Sequence, residues 1–203
     1  MKTFFSRISS LRVGCLALTL LLAACSGAPQ KPSNNGGATG GADLSQVPEG
    51  ARNQYAAALR DQKARNFGSA LKKFQTVSED YPQLSGPYIN MGIIYMNTDA
   101  PDQAQAMFEK AVSVNGLNPE GYTLLGYLAR RQGKFTEAEE YYRKAIAVDG
   151  SYAPARLNLG ITYDLYMGKL KEALEQYQIY QSLQAQPDDE VNRWIVDLQS
   201  RLQ

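Results

Sequence analysis

Residues 119–145 read PEGYTLLGYLARRQGKFTEAEEYYRKA, and this stretch decides the fold. Gly126 sits one turn after Tyr122 and seven residues before Gly133, and Ala138, Tyr142 and Ala145 follow at helical spacing. Displaced by 34 residues toward the N-terminus, Gly126 becomes Gly92, Ala138 becomes Ala104, Tyr142 becomes Phe108 and Ala145 becomes Ala111. Displaced by 34 the other way, Gly126 becomes Gly160. A fixed period with small and aromatic residues in register marks stacked helical hairpins, each unable to bury its apolar face alone. An interior glycine costs a helix about 1 kcal/mol relative to alanine. Gly92, Gly126 and Gly160 are therefore read as sites where two helices of a hairpin approach closely, with Ala104, Ala138 and Ala173 facing them. Phe108, Tyr142 and Tyr177 are expected to fill the space between adjacent repeats.

Worked outward, the period places four hairpins at 51–84, 85–118, 119–152 and 153–187, the fourth slipping by one residue before Ala173, Tyr177 and Tyr180. Asn118-Pro119 supplies an N-cap followed by proline at the first helical position. Asp99-Ala100-Pro101, Gln132-Gly133-Lys134 and Met167-Gly168-Lys169 mark turns within hairpins. A ninth helix is predicted from about Asp188 to Leu202. Asp188, Asp189 and Glu190 complement its positive end, and Val191, Trp194, Ile195, Leu198 and Leu202 form an apolar stripe. It suits the terminal cap that a stacked array needs, with Trp194 buried against the last hairpin.

Upstream the character changes. Lys2, Arg7 and Arg12 precede an apolar run at 13–24, too short to span a bilayer, in the manner of an export signal. Residues 25–50 are rich in Gly, Ser, Asn, Ala and Pro and read as a flexible tether, because so few apolar side chains cannot offset the ordering entropy. Cys15 lies inside the apolar run, so cleavage would leave Cys25 with no disulfide partner.

The 203-residue chain carries 21 basic and 20 acidic side chains, a formal charge of +1, which gives no basic face for nucleic acid. Three of the basic groups precede Cys25 and none of the acidic ones do, so attachment to a membrane would not rest on a polybasic patch. Histidine is absent, removing the commonest general base and a favoured metal ligand. Ser69 and Lys72 fit the S-x-x-K pattern of serine beta-lactamases, but the companion S-D-N and K-T-G elements are missing. No phosphate loop or Cys/His cluster occurs, so no cofactor, metal or small-molecule substrate is expected, and the chain reads as a non-enzyme.

The repeats resemble the tetratricopeptide (TPR) family over about two thirds of the chain. Tyr88, Met91, Gly92, Tyr95, Ala104, Phe108 and Ala111 carry the pattern in the second repeat. Tyr122, Leu125, Gly126, Ala129, Ala138, Tyr142 and Ala145 carry it in the third. The resemblance implies an all-α solenoid of four hairpins plus a C-terminal capping helix. It also implies a concave groove lined by the first helix of each hairpin. Carried over, that groove takes Tyr55 and Leu59 from the first repeat, and Ile89, Asn90, Ile93 and Met96 from the second. Tyr127, Arg130 and Arg131 come from the third, and Leu157, Asn158 and Ile161 from the fourth. Tyr55, Ile93, Tyr127 and Ile161 would anchor an extended segment or helix of another envelope protein, and Arg130 with Arg131 would pair an acidic group. Asn90 and Asn158 could bond a bound backbone. Of the carboxylate clamp of chaperone-binding members only Asn90 matches, because Tyr55, Leu59, Glu120 and Leu124 occupy the other positions.

Leu22-Ala23-Ala24-Cys25 is similar to the lipobox of bacterial lipoproteins. That implies cleavage before Cys25 and its acylation, with palmitate among the chains. Ser26, where aspartate would favour inner-membrane retention, points to an outer-membrane anchor facing the periplasm of a Gram-negative bacterium. The TPR lipoproteins that act as pilotins for type IV pilus secretins show both features. An adaptor for peptidoglycan hydrolases or synthases, or an accessory of a proton-driven energy-transduction complex, fits the same features, and self-association is open.

Overall fold

The computed structural model describes residues 47–203. The apolar run, Cys25 and most of the proposed tether lie outside them. Within them the chain forms α1 (Glu49–Lys63), α2 (Phe67–Asp80), α3 (Ser85–Asn97), α4 (Pro101–Val114), α5 (Pro119–Arg131), α6 (Phe135–Val148), α7 (Ala153–Thr162), α8 (Leu170–Ser182) and α9 (Asp189–Arg201). A π-helical segment, Tyr163–Met167, continues α7. There is no strand among the described residues. Ordered structure begins earlier than the expected end of the tether at residue 50: α1 starts at Glu49, and Val47 is buried.

Helices pair as antiparallel hairpins, α1 with α2, α3 with α4, α5 with α6 and α7 with α8, and each hairpin packs on the next. The starts are set by local chemistry. Asn118 Oδ1 accepts the Glu120 amide at 3.0 Å, while its Nδ2 donates to Ser85 Oγ at 3.1 Å. One buried side chain thus caps α5 and ties it to α3. Asp188 Oδ1 caps α9 by accepting from the amides of Glu190 and Val191.

The four hairpin turns share one geometry. A residue in the left-handed region ends the first helix of each: Arg65 (φ 62°), Asp99 (57°), Gly133 (77°) and Gly168 (63°). The following amide then reaches back to close the turn, from Asn66 to Asp61, Ala100 to Tyr95 and Lys134 to Ala129. In the fourth hairpin the same bond runs from Lys169 to Tyr163, one residue longer. The π segment absorbs that extra residue. The one-residue slip of the fourth repeat is therefore housed inside its first helix, and the turn itself is conserved in shape.

The glycine positions behave differently from the expectation that alanines face them. A Cβ on Gly126 would stand 2.7 Å from Tyr142 Cε1, and one on Gly160 would stand 2.6 Å from Tyr177 Cδ1. Each glycine is the seat for the aromatic ring of its own hairpin. The ring also bridges to the next hairpin: Phe108 clusters with Leu125 and Leu128, and Tyr142 with Leu159 and Tyr163. α9 packs on α8 through buried Val191 and Leu198. Trp194, expected to be buried, is only half-buried, its ring tilted against Tyr177 at 5.4 Å. Leu202 lies past the end of α9 and is exposed rather than part of the stripe. No second helix follows to cover that side of α9.

Candidate functional site: the face of the first helices

The first helices of successive hairpins are joined directly. α5 packs on α7, whereas packing between successive second helices is marginal at most. Side chains link the same row: Tyr55 with Asn90, Ser85 with Asn118, and Arg130 with Asn158. The array therefore closes toward this face.

At the α1 end the face is partly filled from within. Asn90 is buried, and its Nδ2 donates to Tyr55 Oη at 2.7 Å and to the Gly86 carbonyl at 2.9 Å. It has no free amide for a bound backbone, which corrects the expected role. Burial, with the nearby Glu120 carboxylate second, pushes the Tyr55 hydroxyl far above the usual phenol range. The Tyr55 ring meets Phe74 edge-on at 5.4 Å. Ile89, expected to line the groove, is a core residue at 1% exposure. Its Cδ1 lies 3.4 Å from where a Cβ on Gly121 would be, so it fills the space that Gly121 leaves between the second and third hairpins.

Beside these residues lies a cleft of about 240 Å³ whose lining includes Val47, Ala51, Tyr55, Leu59, Leu84 and Pro87. Tyr55 and Leu59 were legible from the repeat register. Val47, Leu84 and Pro87 were not, because they sit at helix starts and connections that the repeat pattern leaves unspecified. Their apolar character, unusual for connecting segments, was the available signal.

Further along, Ile93, Met96, Tyr127, Leu157 and Ile161 are half-buried. Arg130 stands among them. Its Nη2 donates to Asn158 Oδ1 at 3.1 Å, and Asn158 Nδ2 donates to the Pro154 carbonyl at 2.9 Å. Asn158, like Asn90, is thus engaged internally. The Arg130 guanidinium lies 5.5 Å from the Tyr127 ring and 6.0 Å from the Tyr166 ring, within cation–π range. Tyr166, at the end of the π segment, stacks on Phe135 at 4.8 Å. The Nη1 atom of Arg130 is buried without a hydrogen-bond partner. Arg131 does not join it. One residue on along α5, it is exposed and lines a separate cleft of about 140 Å³ with Met96, Asp99 and Leu128.

Two further groups have structural duties. Ser69 Oγ and Lys73 Nζ both donate to Asp61 Oδ2 at 2.6 Å, holding α2 to α1. The lysine beside Ser69 is thus Lys73, not the Lys72 of the sequence pattern. Glu139 accepts from Arg143, Tyr163 Oη and Lys169, joining the third and fourth hairpins. Burial acts to raise its carboxyl, but the bonds from Lys169, Tyr163 and Arg143 outweigh this and hold it below the usual range.

A right-angled sequence of helical hairpins with a side-chain-lined inner face is a TPR-type repeat array. Residues 47–189 match the family described as the tetratricopeptide repeat protein 21 C-terminal ARM domain, and the chain belongs to it. Among curated relatives, the type IV pilus assembly protein PilF of Pseudomonas aeruginosa is 26% identical over 145 residues, covering 64% of this chain and 56% of that protein. The probable UDP-N-acetylglucosamine–peptide N-acetylglucosaminyltransferase SPINDLY of Arabidopsis thaliana is 32% identical over 108 residues, covering 53% of this chain and 12% of that protein. The chain thus spans a small part of SPINDLY and about half of PilF. A solved structure of Pseudomonas aeruginosa PilF superposes with a TM-score of 0.67 at 19% identity, covering 75% of this chain and 69% of that one. A crystal structure of MamA gives a TM-score of 0.55 at 24% identity, covering 66% and 72%. These structural likenesses establish the fold.

Proposed function

We propose that the protein is a non-enzymatic adaptor, anchored through acylated Cys25 in the outer membrane and facing the periplasm, that captures a segment of a cell-envelope protein during assembly of a larger complex. The observation that carries this reading is the face of the first helices. It combines an apolar cleft at one end with a row of half-buried apolar side chains and an aromatic-framed arginine at the other. A face of this kind suits an extended chain or an amphipathic helix. Similarity to the pilus assembly protein PilF supports a pilotin-like role. Acylation would supply the anchor, since more than one chain is needed for stable membrane attachment. The lipid raises the local concentration of the array beneath the membrane, and the groove selects the client.

Photo-crosslinking in living cells tests this. A probe at Tyr127 on the inner face is compared with one at Glu140 on the exposed side of α6. A discrete adduct at Tyr127 alone, with an envelope protein as its partner, is expected. Adducts at Glu140 only, or at neither position, would remove groove capture. Replacement of Cys25 by serine is expected to release the protein from the membrane fraction, and retention there would refute the anchor.

A further inference from the structure

We infer that Arg130, framed by Tyr127 and Tyr166, is the subsite for an aspartate or glutamate side chain of the captured segment, and that the α1–α3 cleft takes an apolar side chain five or six residues away from it. This inference rests on the groove-capture reading above.

The first observation is the state of the guanidinium. Arg130 makes one hydrogen bond, to a neutral amide oxygen, and no carboxylate among the described residues lies within ion-pair distance. Its Nη1 is buried and unpaired, an expensive arrangement for a donor of a charged group. Asp164, on the same helix row, is already held by Arg201 at 3.3 Å. A carboxylate supplied from outside would complete Arg130 with a charge-assisted bond, and the two rings would limit its access to water.

Charge placement decides where along the groove that carboxylate goes. Glu120 stands at the α1 end, where its charge adds to burial in raising the hydroxyls of Tyr55 and Tyr152. An acidic client group is disfavoured there and favoured at Arg130. The cleft beside Tyr55 is apolar in lining, so it accepts the uncharged anchor.

The π segment makes this arrangement particular to the chain. Its extra residue carries Tyr166 onto Phe135, and that ring forms one wall over Arg130. A fourth repeat of regular length would end its first helix one residue sooner and have no equivalent position.

Spacing follows from helix geometry. Neighbouring helix axes lie about 8–10 Å apart, so one and a half spacings separate the cleft from α5 by about 14 Å. Seven residues along the helix add about 10 Å of rise. The diagonal is about 18 Å, or five to six residues of extended chain at about 3.3 Å each.

The test is selection of random dodecamer peptides displayed on phage against the immobilised full-length protein, its Arg130→Gln variant and its Ala56→Trp variant, which fills the cleft. Circular dichroism melts establish that each variant is folded. The wild-type pool is expected to carry Asp or Glu five or six residues from Leu, Ile or Phe. The Arg130→Gln pool should keep the apolar residue and lose the acid, and the Ala56→Trp pool should do the reverse. In the strongest wild-type peptide, Glu→Gln is expected to weaken binding about ten-fold or more, with no further loss on Arg130→Gln. This measurement on unaltered protein holds even where a variant fails to fold. An acid that persists in the Arg130→Gln pool, or a wild-type pool without one, overturns the subsite while leaving groove capture intact. No enrichment from wild type, or pools indifferent to Ala56→Trp, overturns groove capture itself.

Discussion

Replacing Gly126 with alanine sets two measurable effects against each other. Alanine in place of an interior glycine favours a helix by about 1 kcal/mol. Against this, the new Cβ would stand 2.7, 2.8 and 3.0 Å from three atoms of the Tyr142 ring, where carbon contacts are optimal at about 3.5–4.0 Å. The ring must retreat by roughly 1 Å. Tyr142 is fully buried and clusters with Ala138, Leu159 and Tyr163, so it has no open space to enter. Overpacking of this kind costs about 1–3 kcal/mol, and three short contacts place it at the upper end. The net expectation is a loss of about 1–2 kcal/mol, read as a fall of about 3–6 °C in Tm. Gly68→Ala is the control: nothing lies within 4 Å of its added methyl, and stability should hold or rise. Gly126→Ala in a Tyr142→Leu background should lose its penalty, a coupling that a double-mutant cycle measures. A Gly126→Ala protein melting at or above wild type would refute the claim that the glycine is a seat for the ring.

Other outcomes follow from the same geometry. Arg65→Gly relieves a non-glycine residue at φ 62° and should stabilise the first hairpin by about 0.5–1 kcal/mol in urea unfolding; a loss would show that Arg65 holds a contact worth more than its backbone strain. Asn90→Ala removes two buried hydrogen bonds and should destabilise by about 1–2 kcal/mol, while affinity of the folded protein for selected peptides stays unchanged. A parallel loss of affinity would return Asn90 to the binding face. The Glu139 carboxyl is held low in the fold, so its stabilisation is complete above the ordinary glutamate range and disappears as pH falls through the depressed folded value. Glu139→Gln should therefore flatten the acid limb of a stability–pH profile, and an unaltered acid limb would assign that loss to other groups.

Much of the fold was legible because its determinants repeat. Gly126, Tyr142 and Gly133 each satisfy a local steric demand, and recurrence at a period of 34 residues turns weak signals into one pattern. The inner face was less legible, since repeat register places a side chain on a helix face without saying what meets it. Ile89 and Asn90 fall on the expected face, but Gly121 opens a space that Ile89 fills, and Tyr55 reaches across to take the Asn90 amide. Val47 lay beyond the repeats and still lines the cleft. The one-residue slip before Ala173 was visible as a number only. Its placement within α7, and the ring of Tyr166 that it sets over Arg130, come from packing between the third and fourth hairpins.

Sequence alone thus determined helix positions, the turns at Asp99, Gly133 and Gly168, and the stacked-hairpin class, because propensity, sterics and period act within one or two repeats. Tertiary structure alone decided which groove residues are consumed by the array and which remain unpaired. That outcome depends on contacts between side chains about 30 residues apart, such as Arg130 with Asn158 and Tyr55 with Asn90, whose geometry no local pattern encodes.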